Sequence, residues 1–145
     1  MAYDFQVTVD CADPHTQAKW WAETLGWQVE PQDEGFIKDM VAKGFAKEDE
    51  TLVFEGKLVW KTGAAIVHEE KLPSGKPRRV LFNHVPEPKT VKDRIHLDIW
   101  IGEEQRPQVR DELVARGAKF LYEEKQGPFS WFTMQDPEGN EFCIS

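Results

Sequence analysis

The chain has 145 residues, a length that suits one compact domain and is short for two independent ones. Hydrophobic residues make up 40% and charged residues 30%, so the composition is that of a globular protein and not a disordered one. The formal net charge of −8, with lysines and arginines scattered, excludes nucleic acid and anionic membrane surfaces as expected partners.

Compartment signals are few. No apolar run approaches the roughly 20 residues that a membrane-spanning helix needs, and the first ten residues lack the basic and apolar regions of a signal peptide. The two cysteines, Cys11 and Cys143, do not make a disulfide framework. We therefore expect a cytoplasmic protein.

The first half begins with a strand followed by a capped helix. Residues 5–10 alternate between apolar and polar side chains, which predicts a half-buried strand. Asp13 is a good N-cap, and Pro14 suits the first helical position. Gly26 stands where a C′ glycine ends such a helix, and Trp27 opens the next strand.

The rest of the first half is predicted to add one helix and several strands. Residues 34–43 have helical spacing of apolar side chains. Short apolar or alternating runs separated by turn residues predict four strands, at residues 51–54, 57–60, 64–69 and 79–85.

The second half repeats the order of the first. A strand is predicted over residues 95–100, a helix over 107–116, a glycine cap at Gly117 and a further strand from residue 118. The corresponding pairs Gln6 and His96 are 90 positions apart, and the two cap glycines are 91 apart. This constant offset indicates two copies of one βα unit.

The C-terminal region and the connection between the copies complete the plan. Residues 130–135 and 140–145 flank Asp136-Pro137-Glu138-Gly139, whose proline and glycine suit a hairpin turn. We interpret the chain as a single domain with module 1 at residues 1–85, a proline-containing linker at 86–93 and module 2 at 94–145.

Motifs spread over nearly the whole chain resemble the vicinal oxygen chelate superfamily, which includes glyoxalase I, bleomycin-resistance proteins and extradiol dioxygenases. The similarity is strongest to its small glyoxalase-like branch. It is carried by residues 13–14, 20–21, 25–27, 85–89, 92–98 and 136–141.

The resemblance implies an α+β fold. Two βαβββ modules would form a U-shaped, partly open mixed β-barrel with the helices outside, and the chain would be a homodimer. It also implies a cleft, in which family enzymes hold a divalent metal that stabilises negative charge on adjacent substrate oxygens. Other members of the superfamily lack a metal and only bind a small molecule.

The family's metal ligands are two histidines and two acids, and the resemblance assigns each a position. His96 matches the second histidine, whereas Gln6 stands at the position of the first. Asn83 falls at the module-one acid, although a one-residue slip would place His84 there. Cys143 stands at the final glutamate, with Glu141 two residues earlier on the same strand face.

This set contains one conventional ligand, so we expect no cofactor in the usual sense. A divalent metal ion, if bound, would use His96, Cys143, Gln6 and Asn83. The predicted cleft is polar and aromatic, which suits a small organic molecule. Its expected lining is Gln6, Thr8, Asn83, His96, Asp98, Trp100, Glu141 and Cys143.

Three functions follow from this interpretation. The leading one is binding of a small organic molecule without the family's metal site. The second is a metal-dependent lyase, isomerase or dioxygenase acting on adjacent oxygens, with His96 or Glu141 as catalytic base and Asp98 as a residue that orients His96. The third is a non-catalytic dimeric interaction module.

Overall fold

The structure is a computed structural model that describes residues 1–145. It divides into two compact units, Met1–Pro88 and Lys89–Ser145, and each is described by itself. Each unit contains a four-stranded mixed sheet and at least one helix, so the predicted α+β class is confirmed. No helix has the length and apolar character required to cross a bilayer.

The first unit is a βαβββ module with an insertion. Its sheet has the strand order β1-β6-β5-β2, with β1 parallel to β6 and the other pairs antiparallel. A helix and a separate hairpin, β3-β4, are inserted between β2 and β5. The elements are β1 Val7–Cys11, α1 Pro14–Leu25, β2 Gln28–Val29, α2 Glu34–Ala42, a 3₁₀ turn Glu48–Glu50, β3 Thr51–Phe54, β4 Lys57–Trp60, β5 Gly63–Lys71 and β6 Pro77–His84.

The second unit repeats the same topology without the insertion. Its sheet order, β7-β10-β9-β8, places the first strand beside the fourth, as in the first unit, and that pair is again parallel. The two sheets thus confirm the repeat that the sequence predicted. The elements are β7 Asp98–Ile99, α3 Arg106–Ala115, β8 Lys119–Gln126, β9 Phe129–Gln135 and β10 Glu141–Ile144.

Helix α1 starts and stops where its caps indicate. The Asp13 side chain accepts a hydrogen bond from the Thr16 backbone N–H, and Gly26 adopts a left-handed φ of 69° at the C-terminus. The helix buries Trp20 and Trp21, whose rings meet edge to face with centroids 5.0 Å apart. Both tryptophans therefore belong to the core of the first unit.

In the second unit, a buried arginine joins α3 to the sheet. Arg106 is 6% exposed and donates hydrogen bonds to the backbone oxygen and hydroxyl of Ser130. Its guanidinium also lies 4.6 Å from the centre of the Phe132 ring. The polar end of Arg106 is thus bound by β9 while its flat face covers the apolar side of the sheet.

The hairpin between β9 and β10 has the predicted turn. Gly139 has a φ of 88°, a conformation that favours glycine. The Asp136 side chain is 3% exposed and accepts hydrogen bonds from the backbone N–H groups of Glu138 and Asn140. This turn fixes the register in which Thr133 lies opposite Cys143.

A β-bulge in β8 decides which side chains face each side of the second sheet. Phe120 is opposite Met134 and Tyr122 is opposite Thr133, so two residues of β8 span one step of β9. Phe120 consequently packs on the helix side, against the Phe132 ring at 5.3 Å between centroids. Tyr122 turns to the other face, where it lines a cleft.

One predicted strand is shorter than expected. Residues 95–100 alternate as a strand, but only Asp98–Ile99 is paired, alongside β10. This strand lies at the edge of the sheet and pairs only with β10. The residues that flank it are joined to β10 by single backbone hydrogen bonds, such as the one from the Cys143 N–H to the Leu97 oxygen at 2.9 Å.

Candidate ligand cleft of the second unit

One face of the second sheet forms the floor of an open cleft of about 400 Å³. Four side chains make a row across all four strands, because each is paired with the next: Asp98, Cys143, Thr133 and Tyr122. Pairing across β8 and β9 also sets Glu124 opposite Trp131, one step further along. The cleft volume falls within the range of small-molecule sites in proteins.

Three aromatic side chains line this cleft. Trp100 is 89% exposed and Tyr122 is 43% exposed, while Trp131 is half-buried. Tryptophan and tyrosine combine a large apolar surface with one polar group and are enriched at recognition surfaces. The cleft therefore offers flat apolar surface next to the polar row.

His96, Asp98 and Cys143 form a compact cluster at one end of the row. Their ligand-type atoms all lie within 4.8 Å of one another, and His96 Nε2 is 3.3 Å from Asp98 Oδ1. His96 and Asp98 are exposed to solvent, whereas Cys143 is 8% exposed. These three side chains were expected in a cleft from the sequence, and all three line this one.

The Cys143 thiol is held in its protonated form. Burial raises the pKa of Cys143, and the nearby Asp98 carboxylate adds to that rise because a negative neighbour disfavours a thiolate. A hydrogen bond between Thr133 Oγ1 and Cys143 Sγ, at 3.6 Å, opposes the rise. The thiol is therefore a weak nucleophile.

Glu141 lies at the edge of the cleft, but its carboxylate is already bound. Lys89 Nζ is 3.0 Å from Oε2, and the Asp93 backbone N–H donates to the same oxygen at 3.0 Å. Burial alone would raise the pKa of Glu141, yet these two donors and the Gln135 amide lower it to about 2. A carboxylate with this pKa is a poor proton acceptor near neutral pH.

In the first unit, Gln6 and Asn83 lie apart, which corrects the ligand set given by the resemblance. Asn83 is opposite Asp10 in the β1-β6 pair, four residues along the strand from Gln6. That separation is about 13 Å at the usual rise of a strand. The side chain beside Gln6 is Arg79, whose Nη1 donates to Gln6 Oε1 at 3.1 Å.

Thr8 and His84, the other first-unit residues considered from the sequence, are both exposed. Thr8 is exposed on β1 and its hydroxyl lies 3.5 Å from the Gln6 amide nitrogen. His84 is opposite Cys11 and exposed, so it does not take the position of Asn83. Of the eight residues expected to line a cleft, five surround the cleft of the second unit: His96, Asp98, Trp100, Glu141 and Cys143.

The family's four-ligand metal site does not fit these residues. Gln6 Oε1 is occupied by the Arg79 guanidinium, a cation that would repel a metal ion, and Asn83 is too far along the strand. The donor set that does fit a divalent metal lies entirely in the second unit, where His96, Asp98 and Cys143 offer nitrogen, oxygen and sulfur.

Six lining residues of the cleft were not predicted from the sequence: Lys92, Tyr122, Glu124, Trp131, Thr133 and Ser145. Thr133 and Trp131 could have been found, because the turn at 136–139 fixes their register against Cys143. Tyr122 and Glu124 could not, since the β8 bulge has no signature in the sequence. Lys92 comes from the linker, where no periodic pattern indicates which side chains turn inward.

The chain matches the sequence profile of the glyoxalase-like domain over residues 6–145. Because this match spans almost the whole chain, the protein belongs to the glyoxalase-like domain family. No curated protein matches the chain.

Solved structures with the same fold are distant in sequence. The fosfomycin resistance protein FosX from Mesorhizobium loti has a TM-score of 0.62 at 7% identity, over 99% of this chain and 90% of that one. A possible glyoxalase from Bacillus cereus gives 0.59 at 14%, over 99% and 98%. A FosX variant from Listeria monocytogenes, complexed with Mn(II) and 1S,2S-dihydroxypropylphosphonic acid, gives 0.62 at 9%, over 99% and 91%. At these identities the likeness shows the fold alone.

Proposed function

We propose that the protein binds a small organic molecule in the cleft of the second unit, without the family's four-ligand metal site. The observation that carries this proposal is the lining of the cleft. Trp100, Tyr122 and Trp131 surround a polar row in a volume of about 400 Å³. Aromatic walls beside a few hydrogen-bonding groups are the usual composition of sites for organic ligands.

Each part of the lining has a role in this proposal. The aromatic rings stack on a flat or bulky apolar body and exclude water from it. The Thr133 hydroxyl and the His96–Asp98 pair orient polar groups of the ligand. The Cys143 thiol is a weak hydrogen-bonding partner at the floor, not a reactive group.

A thermal-shift screen of a metabolite library tests this function. We expect a ligand that raises the melting temperature, since a ligand at 100 times its Kd stabilises the folded state by about 2.7 kcal/mol. Trp100→Ala should abolish that shift. Phe129→Ala is the matched control, because Phe129 is also an exposed aromatic residue but does not line the cleft. A library without any stabilising compound, or a shift that survives Trp100→Ala, would contradict the proposal.

A second candidate function, metal-dependent catalysis, is favoured by the cluster of His96, Asp98 and Cys143. Tetrahedral zinc bound to nitrogen, oxygen and sulfur needs ligand atoms about 3.3 to 3.6 Å apart, and His96 and Asp98 already meet that distance at 3.3 Å. A metal held there would supply Lewis-acid chemistry toward substrate oxygens. The structurally similar FosX variant from Listeria monocytogenes was solved in complex with Mn(II), which supports the use of a divalent ion as a probe.

Cobalt(II) titration tests the second candidate without any substrate. Sulfur ligation gives a thiolate-to-metal charge-transfer band in the near ultraviolet, and Cys143→Ser should remove it. Cys11→Ser is the control, because Cys11 is an equally buried cysteine of the first unit. Micromolar binding that is unchanged by Cys143→Ser, or no binding at all, would count against this candidate.

If the protein is an enzyme that binds no metal at this cluster, we propose His96 and not Glu141 as its base. His96 is 36% exposed and is oriented by Asp98, whereas Glu141 is buried and bound to Lys89. On any substrate found, His96→Gln should lower kcat by at least tenfold. A rate that falls for Glu141→Gln at unchanged melting temperature, but not for His96→Gln, would reverse the assignment.

We also propose that the protein is a cytoplasmic homodimer. Family resemblance supports the dimer, and the two cysteines, which form no disulfide, are consistent with a reducing compartment. Light scattering coupled to size exclusion gives the assembly directly, with a monomer at all concentrations as the contrary result. A purely interaction-based role, the third alternative from the sequence, gains support only if no ligand or metal binds.

A further inference from the structure

The lining of the cleft in the second unit contains more negatively charged side chains than positively charged ones. Lys92 is the one lysine in the lining, which also contains the carboxylates of Asp98, Glu124 and Glu141. The charge of Glu141 is already compensated by Lys89, at 3.0 Å. The two carboxylates left to meet a ligand therefore outnumber the single lysine.

The carboxylates of Asp98 and Glu124 are exposed to solvent and can be reached by a ligand. Asp98 has 61% of its side chain exposed, and Glu124 is exposed on β8. The Asp98 carboxylate lies 3.3 Å from the His96 ring nitrogen and also interacts with the Cys143 thiol. Because these carboxylates are exposed and not buried in salt bridges, they remain available to attract a positive group.

The aromatic side chains of the lining also favour a positively charged ligand. The face of an aromatic ring carries partial negative charge and attracts cations, most strongly in tryptophan. Trp100 and Trp131 line the cleft, with Glu124 directly opposite Trp131 across the β8-β9 pair. A carboxylate and a tryptophan in neighbouring positions both attract an ammonium group, the first by its charge and the second by its ring face.

We propose that the ligand of this cleft is an organic cation, namely a small amine or quaternary ammonium compound with an apolar body. The proposal deepens the proposed function and rests on it. It excludes phosphonates and other anions as preferred ligands, since an anion would find a single lysine, Lys92, against two carboxylates. The Mn(II)-bound FosX structure, with its phosphonic acid, therefore gives no guide to this cleft.

An isosteric pair of probes isolates the role of charge. Choline and 3,3-dimethylbutan-1-ol have the same shape and differ only in a positive nitrogen replacing a neutral carbon. Benzyltrimethylammonium and benzylphosphonate then compare a cation with an anion on the same aromatic body. Binding to the full chain is measured by quenching of tryptophan fluorescence and by calorimetry at low salt, where charge effects are least screened.

We expect choline to bind at least tenfold more tightly than its uncharged isostere, and benzyltrimethylammonium at least tenfold more tightly than benzylphosphonate. Glu124→Gln should weaken both cations about three- to tenfold, and Asp98→Asn should do the same. Glu123→Gln is the matched control: Glu123 is the preceding residue of the same strand and is opposite Phe132, on the helix side of the sheet. That variant should leave the affinities unchanged.

The contrary results separate this proposal from the proposed function. Equal affinity for the two isosteres, or a preference for benzylphosphonate, would overturn the cationic ligand while leaving small-molecule binding intact. The same conclusion follows if Glu123→Gln weakens the cations as much as Glu124→Gln does. Failure of all four probes together with an empty thermal-shift screen would overturn both.

Discussion

Arg79 and Glu141 occupy equivalent positions on the last strands of the two units and carry opposite charges. Arg79 lies two residues before Leu81, the partner of Thr8, and Glu141 lies two residues before Cys143, the partner of Asp98. Thr8 and Asp98 are 90 positions apart, which is the offset of the repeat. Arg79 holds Glu30 through two hydrogen bonds, at 3.0 and 2.9 Å, and Glu141 holds Lys89 at 3.0 Å. Both units thus have an ion pair at this position, but the residue on the last strand is the cation in the first unit and the anion in the second.

The Glu141 pair should contribute measurably to stability. Glu141→Gln removes a carboxylate that is 9% exposed and leaves Lys89 with the weaker contact to Asp93 at 3.7 Å. We expect a loss of about 1 to 3 kcal/mol, the usual cost of breaking a buried charged hydrogen bond. Urea unfolding measures it, with Glu104→Gln as an exposed control. Equal stability of the two variants would contradict this role for Glu141.

Acid should remove the stabilisation that the Glu141–Lys89 pair contributes. The pKa of Glu141 is lowered from 4.5 to about 2, so its stabilising effect is complete above the ordinary glutamate pKa and is lost as pH falls from 4.5 toward 2. The full effect is at most about 3 kcal/mol. The pKa of Asp93 is raised, mainly by burial, and this opposes part of the loss.

Unfolding by urea at pH 7, 4.5 and 3 checks the acid dependence. The difference in unfolding free energy between the wild type and Glu141→Gln should shrink as pH falls. If that difference stays constant from pH 7 to 3, the carboxylate does not have a lowered pKa in the folded protein.

The turn aspartate gives a third prediction. Asp136→Ala deprives the backbone N–H groups of Glu138 and Asn140 of their acceptor in a buried position, which should cost about 1 to 3 kcal/mol. Asp136→Asn keeps one acceptor oxygen and should cost less. The matched control is Asp111→Ala at an exposed helix position. An equal cost for the alanine and asparagine variants would show that the carboxylate oxygens do not cap this turn.

The reactivity of Cys143 gives a fourth prediction. With Cys11→Ser in place, the remaining thiol should react with iodoacetamide at least tenfold more slowly at pH 7.5 in the folded protein than in urea. The reasons are burial and a raised pKa, both of which lower the amount of accessible thiolate. Mass spectrometry follows the alkylation in metal-free protein, and modification at the rate of the unfolded chain would contradict the result.

Local signals in the sequence were enough for the repeat and its helices. Asp13, Pro14 and Gly26 mark the ends of α1, because capping depends on the residues at the helix termini alone. The helix at residues 34–43 and the hairpin turn at 136–139 were predicted from spacing and turn chemistry in the same way.

Contacts between distant residues were beyond a single sequence. The register of β1 against β6 joins strands more than 70 residues apart, so counting along the family pattern placed Asn83 near Gln6, where Arg79 lies instead. The binding of Glu141 by Lys89 was also missed, because a linker has no periodicity that assigns a partner to a lysine. For the same reason Glu141 was predicted as a candidate general base, although its carboxylate is already bound by Lys89.

The bulge in β8 has a consequence for sequence variation in the family. Leu121 is the extra residue, so a deletion at Leu121 would leave Phe120 opposite Met134 and Tyr122 opposite Thr133 in a regular ladder. Chains that differ in length by one residue at this point would keep the same cleft lining. An alignment of relatives should therefore tolerate a one-residue gap at Leu121 more readily than anywhere else in β8, which makes this position a natural site of insertion and loss.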